Sequence, residues 1–394
     1  MSFVAAFPPP YRRMLAFNSD IEFTTWRAQL DLFRLFGERG LETAFSYWLF
    51  SDPTYTWRML EANGSWSKEA PIALQLARGG LLDTLHSFGG AAHIGGIHFD
   101  REDIRRGYAK LADWGVRTTV YSNHGTDRDV QNIGGTWAPP RVEPIDFKNY
   151  WAGDLTDHPV YHLDLTLEYG MRYFWLDIDR ARHRGWFDGQ VDSAGSDLFT
   201  TQVSRDASPI LRFKRTDLNQ IPWPTTLASQ LDSLLSDPAS GFSIIYNHFG
   251  FMRSVEDKPV PNPAPYFNDE AYAQIDRLVE AQRSGDVLVT TTSRLLNYAL
   301  LQTARPWAYE ETDERIVVRF KRSIQVGAVA LTFDWPDFMG FAIALDHPKA
   351  VELWLGGEKR TAERWSCANT EYAGIPWRPL KMMDLLDDAL RTHA

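Results

Sequence analysis

The chain has 394 residues, with Lys+Arg 41 against Asp+Glu 51, a formal net charge of -10, one cysteine and 44% hydrophobic residues. An acidic chain without a concentrated basic patch does not attract a nucleic-acid backbone or an anionic membrane, so polyanion binding is excluded as its main role. The length suits a barrel-sized domain with a small companion. Cys367 stands alone, which rules out an intrachain disulfide and a cysteine-based metal site.

The opening MSFVAAFPPPYRR places its charge after a short, proline-broken apolar run, the reverse of a secretory signal. No uninterrupted apolar run approaches the roughly 20 residues that span a bilayer. The expectation is a soluble, cytoplasmic protein whose oligomeric state the sequence leaves open.

Seven short apolar runs follow in order: MLAFNSD (14–20), LETAFSYWLF (41–50), GLLDTLHS (80–87), VRTTVYSNHG (116–125), MRYFWLDID (171–179), FSIIYNHFG (242–250) and DVLVTTTSR (286–294). Between them, WRAQLDLFRLFGERG, DREDIRRGYAKLADWG and FNDEAYAQIDRLVEAQRSG space apolar residues three and four apart and end at glycine, the pattern of amphipathic helices. Strands apolar on both faces that alternate with helices form parallel sheets. Because nearly every run ends in a polar residue, the pattern predicts a barrel, where all the strand ends meet at one mouth. The stretches 126–158 and 180–225 read as long active-site loops. After about residue 305, short alternating runs such as ERIVVRFKRSIQVGAVALTFDW predict a small antiparallel β domain closed by a terminal helix, MMDLLDDALRTHA. The expected division is 1–305 for the barrel and 306–394 for the β-rich domain.

No nucleophile elbow, phosphate loop, dinucleotide fingerprint or HExxH helix is present, so the candidate chemistry rests on carboxylates and imidazoles. Asp20 and Glu22 follow the first run, His86 the third and His124 the fourth; Asp177 and Asp179 end the fifth and His248 the sixth. Gathered at one mouth, Asp20, His86 and His124 offer one oxygen and two nitrogens to a divalent cation. Such a set suits zinc, which activates water for amide or ester hydrolysis. Asp20 also stands where a helix N-cap would, and His86 beside Asp83 and Ser87 could be a hydrogen-bonded structural histidine. His93 and His98 lie on a glycine-rich loop, and His158, His162, His183 and His347 read as surface or loop residues. Trp48, Trp57, Trp66, Trp137, Trp151 and Trp186 are candidates to stack on sugar faces, and Arg128, Arg180, Arg182 and Arg184 to meet an anionic substituent.

An Asp closing the first strand, an aromatic second strand (ETAFSYWLF) and the His-Ser pair closing the third (DTLHSFG) together resemble the polysaccharide deacetylase superfamily, the NodB-like carbohydrate esterases of family 4. The resemblance covers roughly residues 12–305. It implies a distorted (β/α)7 barrel, a carbohydrate substrate, and a metal, usually zinc, held by an Asp-His-His set that removes N- or O-acetyl groups. Where that family has a base aspartate, FNSDIE has Ser19, and where its HSxxH motif has a second histidine this chain has Gly90. The missing ligand therefore falls to His124, with His93 as the alternative. The base falls to Glu22, Asp177 or Asp179, and the general acid to His248. Two other functions fit the same residues: a metal-free glycoside hydrolase using Glu22 and Asp179, and a carbohydrate-binding or scaffold protein without turnover.

Overall fold

The computed structural model describes residues 2–21, 24–50, 57–61, 63–89, 100–124, 130–134, 151–176, 198–217, 231–232, 235–236, 241–249, 253–255, 258–260, 267 and 269–393. The described elements begin with β1 (Phe3–Val4), β2 (Met14–Ser19), α1 (Trp26–Gly37), β3 (Ala44–Tyr47), α2 (Ala70–Arg78), β4 (Leu82–His86), α3 (Arg101–Asp113), β5 (Val120–Ser122), α4 (Leu163–Tyr169) and β6 (Tyr173–Trp175). They continue with β7 (Phe199–Val203), β8 (Pro209–Phe213), β9 (Thr216–Asp217), β10 (Phe242–Asn247), the hairpin β11 (Arg253–Val255) and β12 (Lys258–Val260), α5 (Asp269–Arg283), β13 (Leu288–Thr290) and α6 (Thr292–Ala304).

Each of the seven apolar runs contains a strand. They join one curled sheet in the order β7-β8-β6-β5-β4-β3-β2-β10-β9, with β13 also on β2, in a mixed α/β architecture. All of its pairings are parallel except β7 with β8. The alternation of side chains along β2 explains the two cores. Leu15 and Phe17 pack outward with Phe33 and Phe36 of α1, whereas Met14 and Ala16 face inward with Leu295 and Leu296 of α6. Full burial of a side chain such as Phe36 contributes about 2–3 kcal/mol.

Local signals fix the helices. Thr25 caps α1 by accepting from the Ala28 amide, and Asp100 with Asp103 forms a capping box on α3. Asp20 is thus not the cap of the first helix, and its carboxylate is directed elsewhere.

One expectation needs correction. The described part of 180–225 is not a loop: β7, β8 and β9 lie there, and PILRFKRTD carries strand alternation that the seven-run pattern passed over. Leu211 and Arg212 of β8 pair with Tyr173 and Phe174 of β6, and Thr216 and Asp217 pair with β10. A single extended segment therefore links the β6 side of the curl to the β10 side.

From residue 307 the chain turns to β14 (Trp307–Glu311), β15 (Arg315–Phe320), β16 (Ser323–Val326), β17 (Val329–Thr332), β18 (Ala342–Leu345), β19 (Ala350–Leu355), β20 (Glu358–Thr361), β21 (Glu363–Cys367) and β22 (Thr370–Gly374). The pairing is antiparallel except for β15 with β19, which is parallel. The chain between those two strands is long enough to return to the starting end, as a parallel pair requires. β1 adds to this region by pairing with β18. The terminal helix α7 (Met382–Thr392) packs on α1 and α2 and buries Met382, Leu386 and Ala389. Among the described residues, no helix is long and apolar enough to cross a membrane.

Candidate functional site

The inward positions change character along each strand. Near the strand starts they are Met14, Ala16, Val120, Tyr173, Leu211 and Ile244, all in the inner core. Toward the carboxyl ends they become Asn18, Thr84, His86, Ser122, Trp175 and Tyr246. The register sets His86 opposite Ser122, Ser122 opposite Trp175, and Tyr246 opposite Asn18. One further inward step reaches Asp20, His124 and His248.

Asp20, His86 and His124, predicted from three separate runs, lie together. The His86 Nδ1 is 3.7 Å from the Asp20 Oδ1, with both side chains essentially inaccessible. The His86 and His124 rings are 5.5 Å apart, edge to face. Trp48 stacks on His86 with centroids 6.0 Å apart and 14° between planes, and meets His124 at 5.5 Å. Of the tryptophans read as sugar platforms, Trp48 is therefore beside the cluster. Trp57 packs on Trp26, Trp66 lies between Trp114 and Lys110, and Trp151 is buried.

The backbone around the histidines is held tightly. Ser87 has φ +50°, in the left-handed region that non-glycine residues rarely adopt, so the chain turns sharply just after His86. The Asn132 side chain accepts from the His124 amide at 2.9 Å and donates to its carbonyl at 2.8 Å. The neighbouring Asn123 exchanges two bonds with Ile133 at 3.0 Å. These contacts fix the loop that carries His124.

Asp83 does not orient His86. It accepts from the Ser293 amide at 2.7 Å and from the Thr84 hydroxyl at 3.1 Å, and burial raises its pKa. His248 follows β10 at the same end of the sheet, its ring 5.3 Å from Tyr246. Glu22, Asp177 and Asp179 lie outside the described residues, as do His93, His98, His183, Trp137, Trp186, Arg128, Arg180, Arg182 and Arg184.

The sequence reading missed Arg215. Its Nη1 and Nη2 donate to the two oxygens of Asp20 at 3.2 and 2.9 Å. Nη1 also donates to the Asn18 side-chain oxygen and reaches the Ser122 hydroxyl at 3.5 Å. The guanidinium is sandwiched between the rings of Trp175, 3.4 Å from its carbon, and Tyr246, at 3.8 Å. The topology explains that position: Arg215 lies between β8, paired to β6 with its Trp175, and β9, paired to β10 with its Tyr246. Stacking on aromatic faces and bidentate pairing are both characteristic of arginine.

This arrangement bears on the expected zinc. A bidentate guanidinium engages both oxygens of the carboxylate, the same atoms that a metal would use, and its positive charge repels a second cation nearby. Among the described residues no group of three or more His, Cys, Asp or Glu side chains is arranged to hold a metal ion. With Arg215 seated, Asp20, His86 and His124 do not fit a divalent cation.

A second correction concerns His162. Expected as a surface or loop residue, it does lie on the loop leading into α4 but is fully buried there, with Nε2 2.7 Å from the Gln131 carbonyl and Nδ1 2.9 Å from the Thr166 hydroxyl. A carbonyl only accepts, so Nε2 carries the proton. Burial pushes its pKa down to about 4.

No family model matches the chain, and no curated protein matches it.

Proposed function

We propose that the chain is a carbohydrate-acting hydrolase that removes an acyl group, an N- or O-acetyl, from a glycan or sugar precursor. In this reading the curled sheet is a distorted (β/α)7 barrel of the deacetylase type. The supporting observation is the convergence of Asp20, His86 and His124, from three separate strand ends, beside Trp48 and the Trp175–Tyr246 pair. Sugar rings offer apolar faces that stack on such side chains, while imidazoles and hydroxyls bond their rims.

The chemistry assigned to these residues needs no metal. His86, beside the Asp20 carboxylate, takes a proton from water as the water oxygen bonds to the acyl carbon, and Asp20 stabilises the resulting imidazolium. The bond from the acyl carbon to the sugar nitrogen or oxygen then breaks. His248 gives the leaving sugar atom its proton, and acetate departs. Arg215 holds Asp20 in place.

Acetate release from acetylated oligosaccharides tests the proposal. The His86→Gln variant is expected to lose at least about 100-fold in kcat with its melting temperature retained. Unchanged turnover would remove His86 from the chemistry.

A second reading, sugar binding without turnover, is favoured by one observation: both oxygens of Asp20 are already engaged by Arg215. Oligosaccharide binding by the wild type with no acetate release from any acetylated sugar would establish it over the first.

A further inference from the structure

We infer that the seam between the curled sheet and the β-rich region holds a second ligand site, for a small organic monocarboxylate. A cavity of about 170 Å³ opens there. Thr119 and Arg172 line it from the amino-terminal ends of β5 and β6, α6 supplies Arg294 and Tyr298, and Asp337 and Trp377 come from the β-rich region. Asp20 and His86 belong to the carboxyl ends of their strands, and neither lines this cavity.

Helix geometry gathers the donors. Arg294 and Tyr298 stand four residues apart and so share one face of α6. Both meet Trp377: the Arg294 guanidinium carbon lies 4.3 Å from its ring centre, and the Tyr298 ring packs edge to face on it at 6.2 Å. All three have hydrogen-bonding capacity to spare. The Trp377 Nε1 and the hydroxyl of Tyr298, a residue 2% exposed, are buried without a hydrogen-bond partner. Gln302 approaches that hydroxyl but falls outside bonding geometry. A guanidinium carries five N–H donors. The Glu42 carboxylate, the Met339 Sδ and the Arg378 carbonyl take three from Arg294, which leaves its Nε–H and one Nη1–H unspent among the described residues. Buried donors without acceptors are costly, and a cluster of them around a cavity calls for an acceptor that enters it.

Charge and size select the acceptor. Two guanidiniums, Arg172 and Arg294, line the cavity against one carboxylate, Asp337, which already accepts from Arg172 at 3.3 Å and from the Asp334 amide at 2.7 Å. One excess cation at the wall suits a monoanion, whereas a dianion would set uncompensated negative charge beside Asp337. A carboxylate brings two acceptor oxygens that match the guanidinium fork. Pro336, Met339 and the aromatic rings offer an apolar body its contacts. The volume is below that of a drug-sized site, so the occupant has at most about ten non-hydrogen atoms. The inference does not rest on acyl hydrolysis, since it uses none of the residues assigned to that chemistry.

The experiment titrates benzoate into the full-length wild type by calorimetry, with glucose and inorganic phosphate as comparisons. One benzoate per chain is expected to bind with a Kd of about 1 mM or tighter. Phosphate and glucose are expected to bind at least about 10-fold more weakly. Tyr298→Phe and Trp377→Phe each delete one donor and keep the ring, and each is expected to weaken benzoate at least about 10-fold. His86→Gln, at the mouth, is expected to retain full affinity. Should the ring variants fold poorly, benzoate is expected to raise the wild-type melting temperature where glucose and phosphate do not, because a ligand that binds only the folded state stabilises it. Absence of benzoate binding and of that rise overturns the inference, as does glucose or phosphate binding as tightly as benzoate. So does full benzoate affinity in both folded ring variants, or its loss in His86→Gln, which would place the carboxylate at the mouth.

Discussion

Two aspartate–arginine pairs built on a buried aspartate, Asp154 with the half-buried Arg205 and Asp20 with the buried Arg215, have similar chemistry and different company. Asp154 accepts from the Gly134 amide at 2.9 Å and from the Arg205 amide at 3.0 Å, as well as from the Arg205 guanidinium. Arg205 also donates to the Trp151 carbonyl. Its partners are largely backbone groups of segments far apart in sequence, so this pair fastens the chain around 130–134 and 151–154 to the β7–β8 turn. Burial alone would raise the Asp154 pKa, but the Arg205 bonds and charge and the two amides hold it below the usual carboxylate range. Asp20 and Arg215 instead sit among side chains that can exchange protons or stack: His86, Trp175 and Tyr246. An ion pair surrounded by backbone is a clamp, whereas one surrounded by imidazoles and aromatic faces is a site. The neighbours, more than the pair itself, separate structure from function.

The sharpest way to break this contrast is to remove one arginine from the clamp. Arg205→Ala strands Asp154 as a buried carboxylate and is expected to lower the unfolding free energy by about 3–5 kcal/mol in denaturant titrations. Asp20→Asn/Arg215→Met replaces the other pair by neutral groups of similar volume, and is expected to cost about 1 kcal/mol or less. If the double variant proves the more damaging, the assignment of clamp and site is reversed.

Acid sharpens the contrast next. His162, which packs under the clamped segment, has a pKa pushed down by burial to about 4, against about 6.5 in the unfolded chain. The unfolded state then binds the proton first, so the neutral-pH stability is complete above about pH 6.5. It falls as the pH drops from there to about 4, by roughly 3 kcal/mol in all. In His162→Gln this pH-dependent component is expected to disappear from unfolding curves measured across that range. A variant that retained the full slope would place the titration elsewhere.

The smallest effect belongs to the aromatic sandwich. Trp175→Leu removes one face from Arg215, and a double-mutant cycle with Arg215→Met is expected to give a coupling of about 1–2 kcal/mol. A coupling near zero would mean that the stacked geometry contributes no attraction.

Much of the scaffold was legible in the chain. The runs from Met14, Leu82 and Phe242 became strands because apolar residues on both faces suit a sheet covered by helices on one side and by α6 and the β-rich region on the other. The gathering of Asp20, His86 and His124 was legible too, since polar residues just past buried strands have one common end to occupy. Arg215 was not. It lies two residues beyond Phe213, in a stretch whose strand alternation was masked by surrounding glycines, prolines and charges, and read as loop. His162 was misplaced for a related reason: a histidine among loop-like residues carries no local sign that a distant carbonyl, that of Gln131, will bury and bind it.

By itself the sequence determined where strands and helices form, because side-chain periodicity and capping act over a few neighbouring residues. It also determined that polar groups would end the strands. Only the tertiary structure decided which charge meets which: Asp20 and Arg215 are 195 positions apart and become partners because the sheet curls until β8 and β9 bridge β6 and β10. Complementary charges have many possible partners along a chain, and the selection among them is made by the long-range geometry that buries them together.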